Sequence, residues 1–366
     1  MSSIKVALLG DIATFGKYCF DKNGDTVKRQ LSAVSEFLKD YDVVIGNLEA
    51  PFVNEGKTKG FKSAHVSLRE ANVDILNYLG VTHVTLANNH ICDFGDDAVL
   101  NTIKLLDENG IGWFGVNGKV EEVEIKGQKL AMLGYCSFNT NPSLGKRYSI
   151  NELDVDVVEE QLTDVVSRGF FPILSVHSGQ EHIHLPSSDD VHFARKMAKR
   201  FNYCYHGHHP HVVQGCEDYL NSVIYYSLGN FIFDDVYTPR DKNKPLISLS
   251  QENKTGIIAS LNFFGGVISH HKVTPIYLSD DKVVVGGDVK DFSMNDYNKS
   301  LSAAGREEYD IERNAQISKF IDNRKKLRNF SWYLKRLNIN SVGIIVGAKV
   351  NASKYRRHFL NKVKSL

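Results

Sequence analysis

Several features that define other protein classes are missing from this chain. No apolar run approaches the roughly 20 residues that a membrane-spanning helix needs, and the first residues lack the basic start and apolar core of a signal peptide. The five cysteines are scattered, odd in number and never spaced as CxxC, which argues against a disulfide framework or a zinc knuckle. We therefore expect a cytoplasmic globular protein with reduced thiols.

Net charge is also nearly absent, but only because two regions cancel. The 366 residues contain 44 Lys and Arg against 43 Asp and Glu, a formal net charge of +1, so a uniformly basic nucleic-acid-binding surface is not expected. Residues 324–366 contain twelve Lys or Arg and no acidic residue. The preceding 323 residues consequently have a formal charge of about −11.

The basic tail also contains aromatic residues, among them Trp332, Tyr333 and Phe359. This mixture suits an anionic membrane surface, but a basic helix can equally pack on the acidic body. The sequence leaves open a docked helical extension or a peripheral contact at the inner face of the membrane, and no nucleic acid is expected. We predict a main domain at 1–300 and a basic helical extension at 301–366.

Short apolar strands alternate with helices along the first 230 residues. Strands are predicted at 5–10, 42–46, 81–87, 130–135, 171–176, 203–205 and 223–227, and helices at 25–38, 69–79, 96–109, 157–168 and 188–200. This alternation predicts an α/β fold with a sheet buried on both faces. Consecutive strands at 256–264, 267–275 and 282–289 predict an antiparallel addition, followed by a helix at 310–323.

Side chains that can bind metal recur directly after the predicted strands. They are two carboxylates, one amide and three imidazoles: Asp11, Glu49, Asn89, His177, His209 and His211. Loops beyond the carboxyl ends of parallel strands converge, so we expect one site. The set is too large for a single tetrahedral zinc, and nitrogen and oxygen ligands without thiolate favour Mn, Fe or Zn over calcium. We predict two such divalent ions that share a carboxylate.

Two short segments add candidate chemistry to this set. In His209-Pro210-His211, an extended backbone would place both imidazoles on one side, and Pro210 would make that placement rigid. His90 is a candidate general acid or a group that holds a substrate oxygen. Asp93 either orients that imidazole or caps the helix predicted to begin near Asp96.

Six ordered motifs between residues 4 and 235 resemble a known family. The motifs are Gly10-Asp11, Asn47-Leu48-Glu49, Leu86-Ala87-Asn88-Asn89-His90 with Asp93, His177-x-Gly-x-Glu181, Gly207-x-His209-Pro210-His211-Val212 and Tyr226-Ser227-Leu228-Gly229-Asn230-Phe231. Together they look like the CapA family of capsule and poly-γ-glutamate synthesis, which is similar to the calcineurin-like metallophosphoesterases.

The resemblance implies a fold and a site. The implied fold is a four-layer αββα sandwich of two mixed sheets flanked by helices, and the basic extension follows it. The six residues above take the places of the metal ligands, and His90 with Asp93 takes the catalytic place. We assign Glu181, His208 and Asn230 to substrate binding.

The implied activity is metal-dependent hydrolysis of a phosphoester, amide or ester bond in capsule or exopolymer biosynthesis. The implied partner is an anionic cell-envelope polymer or a small phosphorylated substrate. The alternative is a non-catalytic metal- or polymer-binding component of polymer assembly. A ligase-like role has less support, because no GxxxxGK[ST] phosphate loop is present.

This chain departs from the phosphoesterase pattern at four positions. Ala13 stands where a histidine usually follows the first aspartate, and Glu49 replaces the usual aspartate of the second motif. Both changes concern one metal position. Ser178 and His182 stand where the family often has aromatic residues, directly after His177 and Glu181. This difference implies that the substrate-binding site is lined differently.

Overall fold

The computed structural model describes residues 2–237, 243–326 and 339–365. Trp332 and Tyr333 lie outside the described residues. Within these ranges the chain forms fourteen strands: β1 (Ile4–Ile12), β2 (Val43–Leu48), β3 (His83–Thr85), β4 (Gly112–Phe114), β5 (Glu121–Ile125), β6 (Gln128–Cys136), β7 (Phe171–His177), β8 (Cys204–His208), β9 (Cys216–Tyr219), β10 (Ser222–Tyr225), β11 (Asn230–Ile232), β12 (Thr255–Phe264), β13 (Val267–Leu278) and β14 (Val283–Val285).

The same described ranges form ten α-helices: α1 (Phe20–Leu38), α2 (Val73–Tyr78), α3 (Asp96–Glu108), α4 (Val155–Ser167), α5 (Ser188–Ala198), α6 (Gln251–Lys254), α7 (Met294–Asn298), α8 (Glu307–Lys326), α9 (Ile339–Tyr355) and α10 (Asn361–Ser365). A π-helical turn, Arg356–Leu360, joins the last two. None of the described helices is long and apolar enough to cross a bilayer.

The strands form two mixed sheets. The first has the order β14-β13-β12-β1-β2-β3-β4, with β11 also paired to β1. Strands β1 to β4 are parallel, whereas β12 pairs antiparallel with β1, β13 with β12, and β14 with β13. The second sheet has the order β5-β6-β7-β8-β10-β9, with parallel pairing from β6 through β10 and antiparallel strands at both edges.

Three apolar clusters hold the layers together. Between the sheets, Val6 and Leu8 of β1 pack in one cluster with Met132 and Ile173 of the second sheet. The outer face of the first sheet packs against α1, α2 and α3, and that of the second against α4 and α5. Because both faces of each sheet are covered, the central strands β2 and β7 are buried along their whole length. The predicted four-layer αββα architecture is confirmed.

Most predicted elements are present, with shifted ends. The helix predicted at 69–79 is divided, because a 3₁₀ turn at Glu70–Asn72 precedes α2. The last strand of the antiparallel addition is only Val283–Val285. The charged edge strand β5 and the short β9 have no apolar run to reveal them.

The C-terminal segment packs on the second sheet's outer layer. Phe359 and Val363 are buried in the same cluster as Phe193 of α5, and the rings of Phe359 and Phe193 lie 5.3 Å apart. Asp154 accepts from Lys362 at 2.6 Å and contacts His358 at 2.6 Å. Packing on the body, one of the two alternatives for the tail, is therefore observed for this part. The division at residue 300 stays a prediction.

Candidate metal centre

The candidate ligands meet where the two sheets bring their strand ends together. Asp11 lies near the end of β1, Glu49 directly follows β2, and His177 ends β7. The other ligands follow strand ends in loops: Asn89 follows β3, and His209 and His211 follow β8. The parallel strands of both sheets thus deliver ligands to one edge, as the sequence predicts.

Two glycines allow the chain to cross closely at this edge. A Cβ on Gly10 would lie 2.0 Å from the carbonyl oxygen of Gly229, and one on Gly207 would lie 1.9 Å from that of Tyr226. Any residue other than glycine at either position would force the backbone of the crossing segment to move. The close crossing brings Asn230 under the site, where its Oδ1 lies 2.9 Å from Nδ1 of His211.

One group of donor atoms surrounds the imidazole of His177. Its Nε2 lies 3.5 Å from Oε1 of Glu49, 3.1 Å from Oδ1 of Asn89 and 3.1 Å from Nδ1 of His209. Its Nδ1 lies 3.2 Å from the amide of Asn47. Carboxylate, amide and two imidazoles therefore converge, a donor set that suits a borderline divalent ion.

A second group lies on the other side of Glu49. Asp11 Oδ2 is 3.3 Å from Nδ1 of His211, and Nε2 of His211 is 3.5 Å from the same Glu49 Oε1. In each group, one donor atom from every carboxylate and imidazole member lies within 4.8 Å of the others. Glu49 belongs to both groups, so it is the carboxylate that two ions would share.

Glu49 is the least satisfied side chain of the centre. Its residue is 1% exposed, and neither carboxylate oxygen has a hydrogen-bond partner. Burial, followed by the negative charge of Asp11, raises the pKa of Glu49 well above its ordinary value. A buried carboxylate without partners is costly unless a cation compensates it, so the residues present fit a bound divalent ion.

The imidazoles of His177 and His209 are held in the neutral form that binds metal. Burial and the neighbouring His209 lower the pKa of His177 well below its usual range, and burial lowers the pKa of His209 to about 3. Both rings are therefore neutral at physiological pH. Burial alone would raise the pKa of Asp11, but contacts with His208 and His211 lower it to about 2, so its carboxylate is charged.

A buried relay runs from Lys62 through Asp93 to His90. Nδ1 of His90 lies 2.7 Å from Oδ2 of Asp93, and Nζ of Lys62 donates to Oδ1 of Asp93 at 2.8 Å. Burial opposes ionisation of Asp93, but Lys62 and His90 outweigh it and hold the pKa of this carboxyl far below its usual range. Of the two roles left open for Asp93, the structure shows the first, because it orients the imidazole of His90.

A small pocket opens beside these groups. Polar walls come from His90, Glu181, His182 and His211, and apolar walls are Ala64, Val66, Phe233, Val236, Ile247 and Leu249. Although desolvation opposes it, interactions with His209 and His211 lower the pKa of Glu181 to about 2. The carboxylate of Glu181 and the imidazoles of His90, His182 and His211 therefore line the pocket next to the candidate ligands.

Two residues assigned to substrate binding lie elsewhere. His208 is 1% exposed, with its ring against His206 and its Nδ1 3.4 Å from Asp11, so it lies behind Asp11 and does not line the pocket. Asn230 is fully buried, and its amide contacts His211 and the carbonyl of Asn253. The structure therefore makes Asn230 a group that orients His211, and Glu181 is the assigned residue that lines the pocket.

The predicted extended geometry of His209-Pro210-His211 is wrong. His209 has φ 97° and His211 has φ 56°, both in the left-handed region. The backbone turns sharply after β8, and its twist, rather than strand alternation, points both imidazoles to the centre. Their ring centroids lie 6.0 Å apart. Left-handed backbone is costly for residues with a Cβ and persists where function requires it.

Three supporting residues escape prediction from sequence alone. Asn47 donates to Asp11 at 2.8 Å and contacts His177. Asn88 bonds to Asn47 at 3.1 Å and accepts the backbone N–H of His90. Asn47 and Asn88 both lie within the family motifs Asn47-Leu48-Glu49 and Leu86-Ala87-Asn88-Asn89-His90, and that position is the signal that could have identified them. Lys62 stands in a loop with no motif of its own.

The departure at Ala13 leaves the two groups unequal. Ala13 is fully buried, and its methyl group offers no ligand. The group around His211 consequently has three candidate ligands, Asp11, Glu49 and His211, whereas the group around His177 has four.

A two-sheet α/β sandwich with carboxylate, amide and imidazole groups at its strand ends defines a candidate metal-binding scaffold. A sequence profile described as bacterial capsule synthesis protein PGA_cap matches residues 5–235. The chain belongs to this family. The match covers both sheets except β12 to β14 and includes every candidate ligand.

Individual relatives agree with the family. The chain is 30% identical to the capsule biosynthesis protein CapA of Bacillus anthracis over 241 residues, which cover 62% of this chain and 58% of that protein. It is 26% identical over 295 residues to the PGA biosynthesis protein CapA of Bacillus subtilis strain 168, covering 76% and 75%. A solved structure of a putative 5′-nucleotidase from Staphylococcus aureus aligns over 82% of this chain and 58% of that one, with 12% identity and a TM-score of 0.45.

Proposed function

We propose that the chain is a metal-dependent hydrolase with a binuclear centre that acts in capsule or exopolymer biosynthesis. Its substrate contains a phosphoester, amide or ester bond and belongs to an anionic cell-envelope polymer or a small phosphorylated compound. Membership in the PGA_cap family supports a role in capsule or exopolymer biosynthesis. The chemistry is supported by the buried Glu49, whose carboxylate has no hydrogen-bond partner and belongs to both groups of candidate ligands.

Each proposed ion has its own ligand set. Asp11, Glu49 and His211 would hold one ion, and Glu49, Asn89, His177 and His209 would hold the other. Two divalent ions in such a site supply a water that is ionised at neutral pH and stabilise negative charge on a phosphoryl or acyl oxygen. Mixed nitrogen and oxygen donors without thiolate favour Mn, Fe or Zn.

The protein's own proton-transfer group is His90. Its Nδ1–H donates to Asp93, which fixes the tautomer and leaves Nε2 for the substrate. Burial and the nearby Lys62 lower the pKa of His90, so the resting ring is neutral. An anionic substrate oxygen beside Nε2 raises that pKa again, and the protonated ring then donates to the leaving group.

The decisive experiment separates metal binding from turnover. Protein loaded with Mn, Fe or Zn is assayed on an aryl phosphomonoester, an aryl phosphodiester, an aryl ester and a γ-glutamyl anilide. We expect hydrolysis of at least one, and a loss of at least about 100-fold in His90→Gln with metal content unchanged. His192→Gln, an exposed histidine on α5, is the matched control and should retain full activity.

The competing function has its own signature in the same experiment. Metal-loaded protein that hydrolyses none of the four compounds would contradict the hydrolase proposal. It would favour the non-catalytic alternative, in which the centre binds an anionic polymer. That binding should weaken as salt rises.

A further inference from the structure

An apolar stripe lies on the outer side of α9. Val342, Ile345, Val346 and Val350 are between 51% and 62% exposed. Their spacing of three and four residues places them on one face of the helix. Four large aliphatic side chains exposed together on one helix indicate a surface that binds something apolar.

The opposite side of α9 is already in use. Gly343 passes so close to Phe61 that a Cβ there would lie 2.2 Å from its ring. Farther along, Asn351 donates to Asn141 at 2.7 Å, and Nζ of Lys354 lies 4.5 Å from the ring centroid of Phe138. These contacts fix the rotation of the helix, so the apolar stripe points away from the body.

Unpaired positive charge accompanies the stripe. Residues 339–365 contain six Lys or Arg and no Asp or Glu. Glu152, Asp154 and Asp156 of the body pair with Lys354 and Lys362. Among the described residues, no carboxylate pairs with the exposed Lys349, Arg356 and Arg357, and their charge remains available to a partner.

We propose that this face of α9 binds the surface of an anionic lipid bilayer. The aliphatic side chains enter the boundary between headgroups and acyl chains, and Lys349, Arg356 and Arg357, which have no carboxylate partner among the described residues, contact anionic headgroups. The charge distribution favours this partner. Residues 1–323 have a formal charge of about −11, so an anionic bilayer repels the body and attracts the basic C-terminal segment. The membrane therefore meets the chain on the basic side, with α9 parallel to its surface.

This orientation has a consequence for the candidate centre. Phe61, which contacts Gly343 of α9, directly precedes Lys62, whose ammonium group reaches Asp93. The helix on the membrane is thus in contact with the loop that supports His90. The proposal stands whether or not the centre turns over substrate, because it rests on α9 alone.

Vesicle sedimentation with the full chain tests the proposal. We expect binding to phosphatidylcholine vesicles containing phosphatidylglycerol, and much weaker binding to phosphatidylcholine alone. Combined Val342→Ser, Ile345→Ser, Val346→Ser and Val350→Ser should lower affinity at least tenfold. Each single substitution, Lys349→Gln, Arg356→Gln or Arg357→Gln, should lower the affinity for these vesicles about fivefold.

A matched control excludes a general effect of surface apolarity. Leu100→Ser with Leu220→Ser removes exposed aliphatic groups elsewhere and should leave binding unchanged. Equal binding of the fourfold serine variant, or no binding by the unmodified chain, would overturn the proposal. So would a dimer in light scattering that the serine variant loses, because a second copy would then cover the stripe.

Discussion

The ammonium group of Lys62 lies 2.8 Å from Oδ1 of Asp93, and both side chains are almost completely buried. Asp93 also contacts His90 at 2.7 Å and accepts the backbone N–H of Val66 at 3.1 Å. A single buried ion pair thus connects the loop at 54–67 to the proposed proton-transfer group. The arrangement predicts strong coupling between Lys62 and Asp93.

Lys62→Met should destabilise the protein by about 3–5 kcal/mol, because it leaves the charge of Asp93 buried without its cation. Lys62→Met combined with Asp93→Asn should cost less than the sum of the two single changes, since the double variant contains no uncompensated charge. Denaturant unfolding of the three variants measures the difference. Strict additivity would show that the pair is not coupled.

Gly207→Ala should destabilise the protein by at least about 2 kcal/mol, because its Cβ would collide with the carbonyl of Tyr226. The displaced strand end would also move His209 and reduce metal affinity. Gly287→Ala is the matched control: its Cβ would meet no atom within 4 Å, so its effect should stay within about 0.5 kcal/mol. Thermal unfolding and metal titration of both variants test this, and equal effects would refute the close crossing.

Docking of the C-terminal segment should depend on pH through Asp154. Burial would raise the pKa of this carboxyl, but contacts with Lys362 and His358 outweigh it and hold the pKa below 3.8. The stabilisation is therefore present above about pH 4 and is lost as the pH falls through the folded-state value. Asp154→Asn should weaken docking by about 1–2 kcal/mol at pH 7.

Limited proteolysis after α8 reports this docking. The unmodified chain and Asp154→Asn should differ clearly in cleavage rate at pH 7. The difference should shrink as the pH falls through the lowered folded-state pKa of Asp154, because below it both side chains are neutral. A difference that grows on acidification would contradict the assigned sign.

Glu49→Gln should change stability in opposite directions with and without metal. In metal-free protein the variant should be more stable, because a neutral amide replaces a buried carboxylate without partners. With saturating Mn the order should reverse, because bound metal stabilises only a protein that retains its ligands. Thermal unfolding under both conditions measures the sign, and the same order in both would contradict the assignment of Glu49.

The sequence reveals those parts of this protein that depend on local pattern. Apolar runs locate β1, β2, β7 and β8, and the polar residue after each strand end locates the ligands, because strand direction alone determines where those loops meet. The C-terminal antiparallel addition is also predicted, since its strands follow one another without helices.

Features that depend on distant contacts are not predicted. The left-handed backbone at His209 and His211 follows the close crossing of Gly207 with Tyr226, a distant contact that the local sequence does not reveal. Lys62 is recognisable only once the fold places its loop over Asp93. Likewise, nothing in the sequence of α9 shows which side contacts Phe61 and which remains exposed.

Metal content per chain, measured by elemental analysis after reconstitution with Mn, Fe or Zn, tests the central claim most directly. The unmodified chain and His192→Gln should bind two ions, one more tightly because four protein ligands hold it and three hold the other. His209→Ala should lose the tight ion, and Glu49→Gln should lose both. No bound ion in the unmodified chain, or two in Glu49→Gln, would contradict a binuclear centre bridged by Glu49.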